Sequence, residues 1–204
     1  MRRFIVVGQR ARTARDFPLD DICGAGGRWD LLARCVQGAL FISHDLRRDT
    51  ELVLVALGEP DAPKAIRVSG ADVRHLNPDE RSTVALLSRA LEAALPRNGR
   101  WVGVHPGIHV ARRDLSRVLD GCEEGPLVLL DENGTVDGPD LPPLVPQGDA
   151  TFIVGDNQGL TDEQLVDVRS RSPVKVRLGP LALHADHCIV LVHNVLDRAS
   201  GDRA

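Results

Sequence analysis

Apolar residues fall along this chain in short continuous runs, separated by longer stretches with helical spacing. Phe4-Ile-Val-Val7 is apolar throughout and stops at Gly8, the pattern of a strand buried on both faces of a parallel sheet. Over residues 30–43, Leu31, Leu32, Cys35, Val36, Ala39 and Leu40 recur at helical spacing, with Asp30 placed to cap the amino end. Residues 52–57 form a second buried run closed by Gly58 and Pro60, so this region predicts a βαβ unit. Asn77-Pro-Asp-Glu80 predicts a helix start, with Asn77 as cap, Pro78 at the first helical position and Glu80 three residues after the cap; Pro96 and Gly99 stop it after about Leu95. Residues 101–104 read as a strand, and 111–120 as a helix ending at Gly121.

Three more apolar runs follow, each ending in a loop that exposes backbone. Residues 127–130 lead into Asp131-Glu-Asn-Gly134, residues 151–155 into Asp156-Asn-Gln-Gly159, and residues 174–178 into the Gly179-Pro180 corner. Small ligands of open α/β sheets bind at that edge. Thr161-Asp-Glu-Gln164 is a capping box opening a short helix. In residues 181–198, His184, Cys188, Leu191 and Val195 share one helical face, so a helix is predicted despite the strand-like Cys188-Ile-Val-Leu-Val192. Four prolines and three glycines within residues 133–148 rule out a helix or central strand there, and fit a flap over a site or a plain surface connection equally. The fold class is α/β, with a mainly parallel sheet.

At 204 residues and 43% hydrophobic, the chain can bury a core as one compact domain spanning 1–204. The first apolar run is too short for a signal peptide, and no stretch approaches a membrane span, so a cytoplasmic location with no membrane partner is expected. Cys23, Cys35, Cys122 and Cys188 lack Cys-x-x-Cys spacing, which argues against a zinc ribbon and, inside a cell, against a disulfide framework. Net charge is −4, but residues 1–48 hold nine Arg against five Asp. Arg10, Arg12 and Arg15 crowd the segment after the first strand, where they can grip phosphates or form a solvated loop.

The chain has no Walker lysine and no Gly-x-Gly-x-x-Gly, which argues against a triphosphate or dinucleotide ligand. The strand-end loops around Leu130, Gly155 and Leu178 suit an adenosine-like group held by backbone, or are three ordinary turns. His184, His187, Cys188 and His193 raise zinc, but His187 is displaced by about 100° from Cys188 on a helix, and no metal is expected. Asp20-Asp-Ile-Cys-Gly-Ala-Gly-Gly-Arg-Trp-Asp30 is a flexible loop by composition. Its sharper reading is a reactive loop, in which Arg28 orients a carbonyl or phosphate and Asp21 or Asp30 accepts a proton.

Together these segments resemble the SPOUT-class archaeal tRNA (pseudouridine-54 N1) methyltransferases over nearly the whole chain. The resemblance is carried by Arg3-Phe-Ile-Val-Val-Gly8, Asp16-Phe-Pro-Leu-Asp-Asp21, Gly24-Ala-Gly-Gly-Arg28, Arg34-Cys-Val36, Ser43-His-Asp-Leu-Arg-Arg-Asp49, Leu57-Gly-Glu-Pro60, Leu76-Asn-Pro-Asp-Glu-Arg-Ser-Thr83, Leu178-Gly-Pro180, His187-Cys188, His193-Asn194 and Leu196-Asp-Arg198. It implies helices on both faces of the sheet, a trefoil knot over about residues 125–204, and S-adenosylmethionine held by Leu130, Gly155, Leu178, Gly179, Pro180, Leu181, Ala182, Leu183 and Cys188. It also implies a homodimer with the active site near the subunit interface, and methyl transfer to N1 of pseudouridine in tRNA, with Arg28, Arg10, Arg12 and Arg15 on the RNA and Asp21 or water taking the proton. The chain departs from the family at Asp156-Asn-Gln-Gly-Leu160, where His-Glu is expected, at Arg177 for Ser, and at Leu181-Ala182 for Lys-Ser. Ribosomal RNA as substrate, a non-catalytic RNA binder on the same scaffold and a metal hydrolase are the rival readings.

Overall fold

Alternate side chains of a strand leave on opposite faces, so each apolar run feeds two cores at once. The computed structural model describes residues 1–122 and 125–201. In chain order its elements are β1 (Arg2–Gly8), α1 (Trp29–Leu40), β2 (Thr50–Ala56), β3 (Lys64–Ser69), α2 (Glu80–Leu87), β4 (Val102–His105), β5 (Ile108–Ala111), α3 (Leu115–Leu119), β6 (Leu127–Leu130), β7 (Val136–Asp137), β8 (Ala150–Gly155), α4 (Asp162–Ser170), β9 (Val174–Arg177) and α5 (Ala185–Gly201). These strands form one sheet in the order β4-β5-β3-β2-β1-β8-β6-β9-β7. From β2 to β7 every pairing is parallel, while β3, β5 and β4 add an antiparallel flank.

Phe4, Val6, Leu52, Leu54 and Phe152 point to the face covered by α1, α2 and α5, while Ile5, Val7, Val53 and Ile153 meet α3 and α4. Phe4 stacks on Phe152 with ring centroids 5.1 Å apart at the centre of the larger core. Truncating such a ring costs about 3–5 kcal/mol. No described helix is long and apolar enough to cross a membrane.

Several expected boundaries move, each for a local reason. Asp30 does not cap α1: Arg28, in the left-handed conformation at φ 75°, starts the helix at Trp29, and Asp30 in its first turn binds Arg28 and Arg34 instead. Asp79, not Asn77, caps α2, because its carboxylate takes both the backbone N–H and the hydroxyl of Ser82. The helix expected over 111–120 shortens to the five-residue α3 capped by Asp114, since Ala111 closes β5, the return strand of the hairpin that Gly107 turns at φ 72°. On α5 the buried stripe is Ala185, Ile189, Val192 and Leu196, one residue along from the predicted face. The capping box at Thr161 and Gln164 forms as expected.

His193 of α5 is 2% exposed and fastens the helix to the rest of the chain. Its Nε2 donates to the Ala39 carbonyl at 3.0 Å, and its Nδ1 accepts from the Arg2 guanidinium at 3.0 Å, a pattern that requires the neutral ring. Arg2 and Arg47 both bind Asp197 as well. Burial, with the charges of Arg47 and Arg2, holds the His193 pKa down at about 4. A histidine whose folded pKa lies below its unfolded value contributes stability that is complete above about pH 6.5 and is lost as pH falls toward the folded pKa. Urea denaturation is therefore expected to show about 3 kcal/mol lost from this group between pH 6.5 and 4, absent in His193→Gln. Equal pH dependence in the two proteins would contradict the assignment.

Candidate active site

β8, β6 and β9 are parallel neighbours, so the loops leaving their carboxyl ends converge. Between those loops lies a cavity of about 570 Å³, within the size range of small-molecule sites. Of the residues expected to bind a cofactor, Leu130, Gly155, Leu178, Gly179, Leu181, Ala182, Leu183 and Cys188 line it. Pro180 belongs to the same exposed turn but stands outside the lining. Asp131, Asn133 and Asp156 also line the cavity, and sequence reasoning had not placed them there as ligand contacts.

The turn between β9 and α5 leaves polar backbone open, because the ladder ends at Arg177 and the helix begins at Ala185. Among the described residues, residues 179–182 make no main-chain hydrogen bond. Leu181 and Leu183 are 74% and 40% exposed at the cavity mouth, an arrangement suited to covering a flat aromatic group. The two glycines differ in what they permit. A Cβ on Gly155 would stand 2.5 Å from Gly159, so that glycine serves the turn, whereas a Cβ on Gly179 meets nothing within 4 Å. Burial, with the charge of Asp186, pushes the Cys188 thiol up to about 11. His184 and His187 meet edge to face at 5.7 Å, and among the described residues no group of three His, Cys, Asp or Glu is placed to hold a metal ion.

Beside the cavity, the segment after β1 is locked to the glycine-rich segment before α1. Arg12 N–H donates to Gly26 O at 3.1 Å, the Trp29 indole donates to Arg12 O at 3.0 Å, and a Cβ on Gly27 would stand 1.9 Å from Arg10 O. Residues 20–30 are therefore a fixed stack of turns rather than a flexible loop, and Gly26 and Gly27 serve chain packing rather than a flat ring. The Asp21 carboxylate accepts from Gly24 and Ala25 N–H at 2.8 and 2.9 Å. Arg28 pairs with Asp30 through two bonds of 3.0 and 3.2 Å. Burial works to raise the Asp30 carboxyl, and Arg28 and Arg34 outweigh it, leaving it below its ordinary value.

Asp156 joins this segment to the cavity. Its two oxygens accept from Gln9 and Gln158 N–H, each at 2.8 Å, and Gln9 in turn binds Gly159 O and Gln164. Burial lifts the Asp156 carboxyl above the ordinary range, against those N–H bonds and the charges of Arg28 and Arg10. Of the arginines expected on RNA, Arg10 is exposed and makes no ion pair among the described residues, while Arg12 pairs with Asp16 and Arg15 with Glu92. Arg177, one of the departures from the family pattern, is taken up by Asp137.

Over residues 1–200 the chain matches the model of the SAM-dependent RNA methyltransferase family. The chain belongs to that family. This methyltransferase is 44% identical to a protein of Methanocella arvoryzae over 97% of its own length and 100% of the other, and 42% identical to one of Halobacterium salinarum over 99% of both. Both are named tRNA (pseudouridine(54)-N(1))-methyltransferase. Its fold matches that of Archaeoglobus fulgidus Nep1, solved bound to S-adenosylhomocysteine, with TM-score 0.63 at 15% identity over 97% of this chain and 98% of the other. The cavity fits the family's methyl donor: the open backbone of 179–182 offers partners for an adenine edge, and Leu181 and Leu183 offer apolar cover. Adding a methyl group separates the two glycines. Gly179→Ala is expected to keep the wild-type melting temperature and lose at least about tenfold in S-adenosylhomocysteine affinity by calorimetry, whereas Gly155→Ala loses stability because its Cβ collides with the Gly159 backbone. Wild-type affinity in Gly179→Ala would exclude that turn from the ligand.

Proposed function

We propose that this methyltransferase acts on N1 of pseudouridine at position 54 of tRNA. The observation carrying this is a cavity with open backbone, walled on one side by Asp156 within the electrostatic reach of Arg28 and Arg10. The named activity of full-length relatives at 42–44% identity supports it. S-adenosylmethionine supplies a methyl group activated on a sulfonium.

The chain's own residues have three tasks. Pseudouridine is linked to ribose through carbon, so N1 carries a proton that must leave as the new N–C bond forms. The nucleotide must first leave its stack. Arg28, held by Asp30 in a rigid turn, presents its guanidinium to a pyrimidine carbonyl. Asp156 accepts the N1 proton, because its carboxylate lines the cavity and burial makes it a better base. Asp21 holds the turn that carries Arg28, its oxygens being engaged by that turn's own N–H groups.

Three further properties belong to this reading. The last strand passes through the preceding loop as a trefoil knot, supported by the position of β9 between β6 and β7 and by Gly134, whose Cβ would stand 2.4 Å from the Val176 backbone. Two copies pair, with α5 offering Val190, 50% exposed, to the partner; light scattering at twice the monomer mass checks this. The enzyme works in the cytoplasm, where its RNA is.

Methylation of a synthetic T arm is expected with pseudouridine at the target position and not with uridine. Equal incorporation into both rejects the N1 assignment. Asp156→Asn is expected to slow turnover roughly 100-fold or more, keep S-adenosylhomocysteine affinity, and abolish the acidic limb of the rate profile. In the wild-type enzyme that limb lies above the ordinary carboxylate range, since the deprotonated form is the active one. If Asp21→Asn removes the limb and Asp156→Asn does not, proton acceptance moves to Asp21.

A further inference from the structure

The carboxyl edge of the sheet does not end at the cavity. Ala56 pairs with Lys64, Ala65 with Ala111, and Val110 with Val102, so the end of β2, the start of β3, the end of β5 and the start of β4 lie along that same edge. Hydrogen bonds join the loops there into one ridge. Thr13 Oγ1 donates to Gly58 O and accepts from Asp61 N–H, both at 2.8 Å, and Arg112 grips the Asp61 carboxylate at 2.8 and 2.9 Å. Arg113 Nε donates to Gly99 O at 2.7 Å. From β1 to β4 the ridge crosses four strand spacings, roughly 19 Å.

The charges on this ridge are unevenly matched. Arg12 and Arg15 are neutralised by Asp16 and Glu92, and Arg112 shares Asp61 with the buried Lys64. Arg10, Arg97 and Arg100 are exposed and form no ion pair among the described residues. Among the described residues, Arg113 hydrogen-bonds only to carbonyl oxygens, and its guanidinium lies 5.3 Å from the centre of the Trp101 ring, which Arg67 also meets at 4.9 Å. Among the described residues, Glu59 and the α3 cap Asp114 stand against these four cations. The whole chain carries −4, so a cationic strip leading away from the cavity runs counter to the rest of the molecule.

We propose that this ridge is the docking track for the RNA strand flanking the target nucleotide, with Arg10, Arg97, Arg100 and Arg113 meeting its phosphates. The proposal rests on the RNA substrate argued above and adds where that RNA lies. An arginine without a carboxylate partner keeps donors free for phosphate oxygens, Arg113 those not given to Gly99 O and Arg117 O. The cavity end holds the extruded nucleotide; the far end, at the loop 97–100, holds backbone alone.

The test is tRNA binding by full-length Arg97→Gln/Arg100→Gln as a function of salt, with Arg74→Gln, exposed beyond β3 at the opposite edge, as control. The double variant is expected to bind tRNA roughly tenfold more weakly at low salt, with the slope of log affinity against log salt smaller by about 1–2, and to bind S-adenosylhomocysteine as the wild type does. The control should match wild type in all three. Unchanged affinity and slope in the double variant would overturn the ridge while tRNA methylation by the wild type leaves the substrate assignment intact. A wild-type enzyme that neither binds nor methylates tRNA overturns both. If the double variant misfolds, tRNA protection of Arg97 and Arg100 from phenylglyoxal in the wild-type protein decides the matter, with absence of protection excluding the track.

Discussion

With β9 lodged between β6 and β7, parallel strands release their chains side by side at one edge, and the chemistry of that edge follows from it. β9 leaves the ladder at Arg177, and α5 takes up the backbone again only at Ala185. Among the described residues, residues 179–182 between them make no main-chain hydrogen bond. A buried connection of this kind would be costly, and at the lip of a cavity its polar groups stay open to solvent or to a ligand. The loop between β6 and β8 can cross β9 only because residue 134 has no side chain.

The second half of the site depends on the first through Asp156. Because β8 lies next to β1, the chain leaving Gly155 meets the chain leaving Gly8, and Asp156 accepts from Gln9 across that junction. Gln9 then reaches Gly159 and Gln164, so the loop after β8 and the start of α4 are held by one amide. Most other charges near the site are paired: Arg28 and Arg34 with Asp30, and Arg12 with Asp16. The cations left unpaired are correspondingly informative.

Strands buried on both faces were legible because nothing polar interrupts them, and the three backbone-exposing loops were legible from where those strands stop. β3 was missed because Lys64 and Arg67 break its apolar run; Lys64 is buried nonetheless, its amine bound to Leu91 O at 2.7 Å and paired with Asp61. β5 has no counterpart in the sequence reading, which assigns no element to residues 105–110 and starts a helix at Ala111, because the turn at Pro106-Gly107 is not weighed there. Most of the cavity lining was placed through family resemblance, since spacing alone fits three ordinary turns as well. Gln9 carried no motif, and Asp156 stood in a strand-end loop read for its backbone and not its carboxylate; only the adjacency of β1 and β8 makes the two neighbours. The glycine-rich segment misled in the opposite direction, its composition suggesting mobility where contact with the Arg10 backbone demands small residues.

The protonated state of Cys188 has a consequence for the enzyme's own survival. A soft sulfur nucleophile beside an activated methyl group invites alkylation of the protein itself. With its pKa held at about 11, only about one thiol in ten thousand is ionised near neutral pH. On the proposed reading, in which S-adenosylmethionine fills the cavity that Cys188 lines, desolvation keeps this thiol from being alkylated.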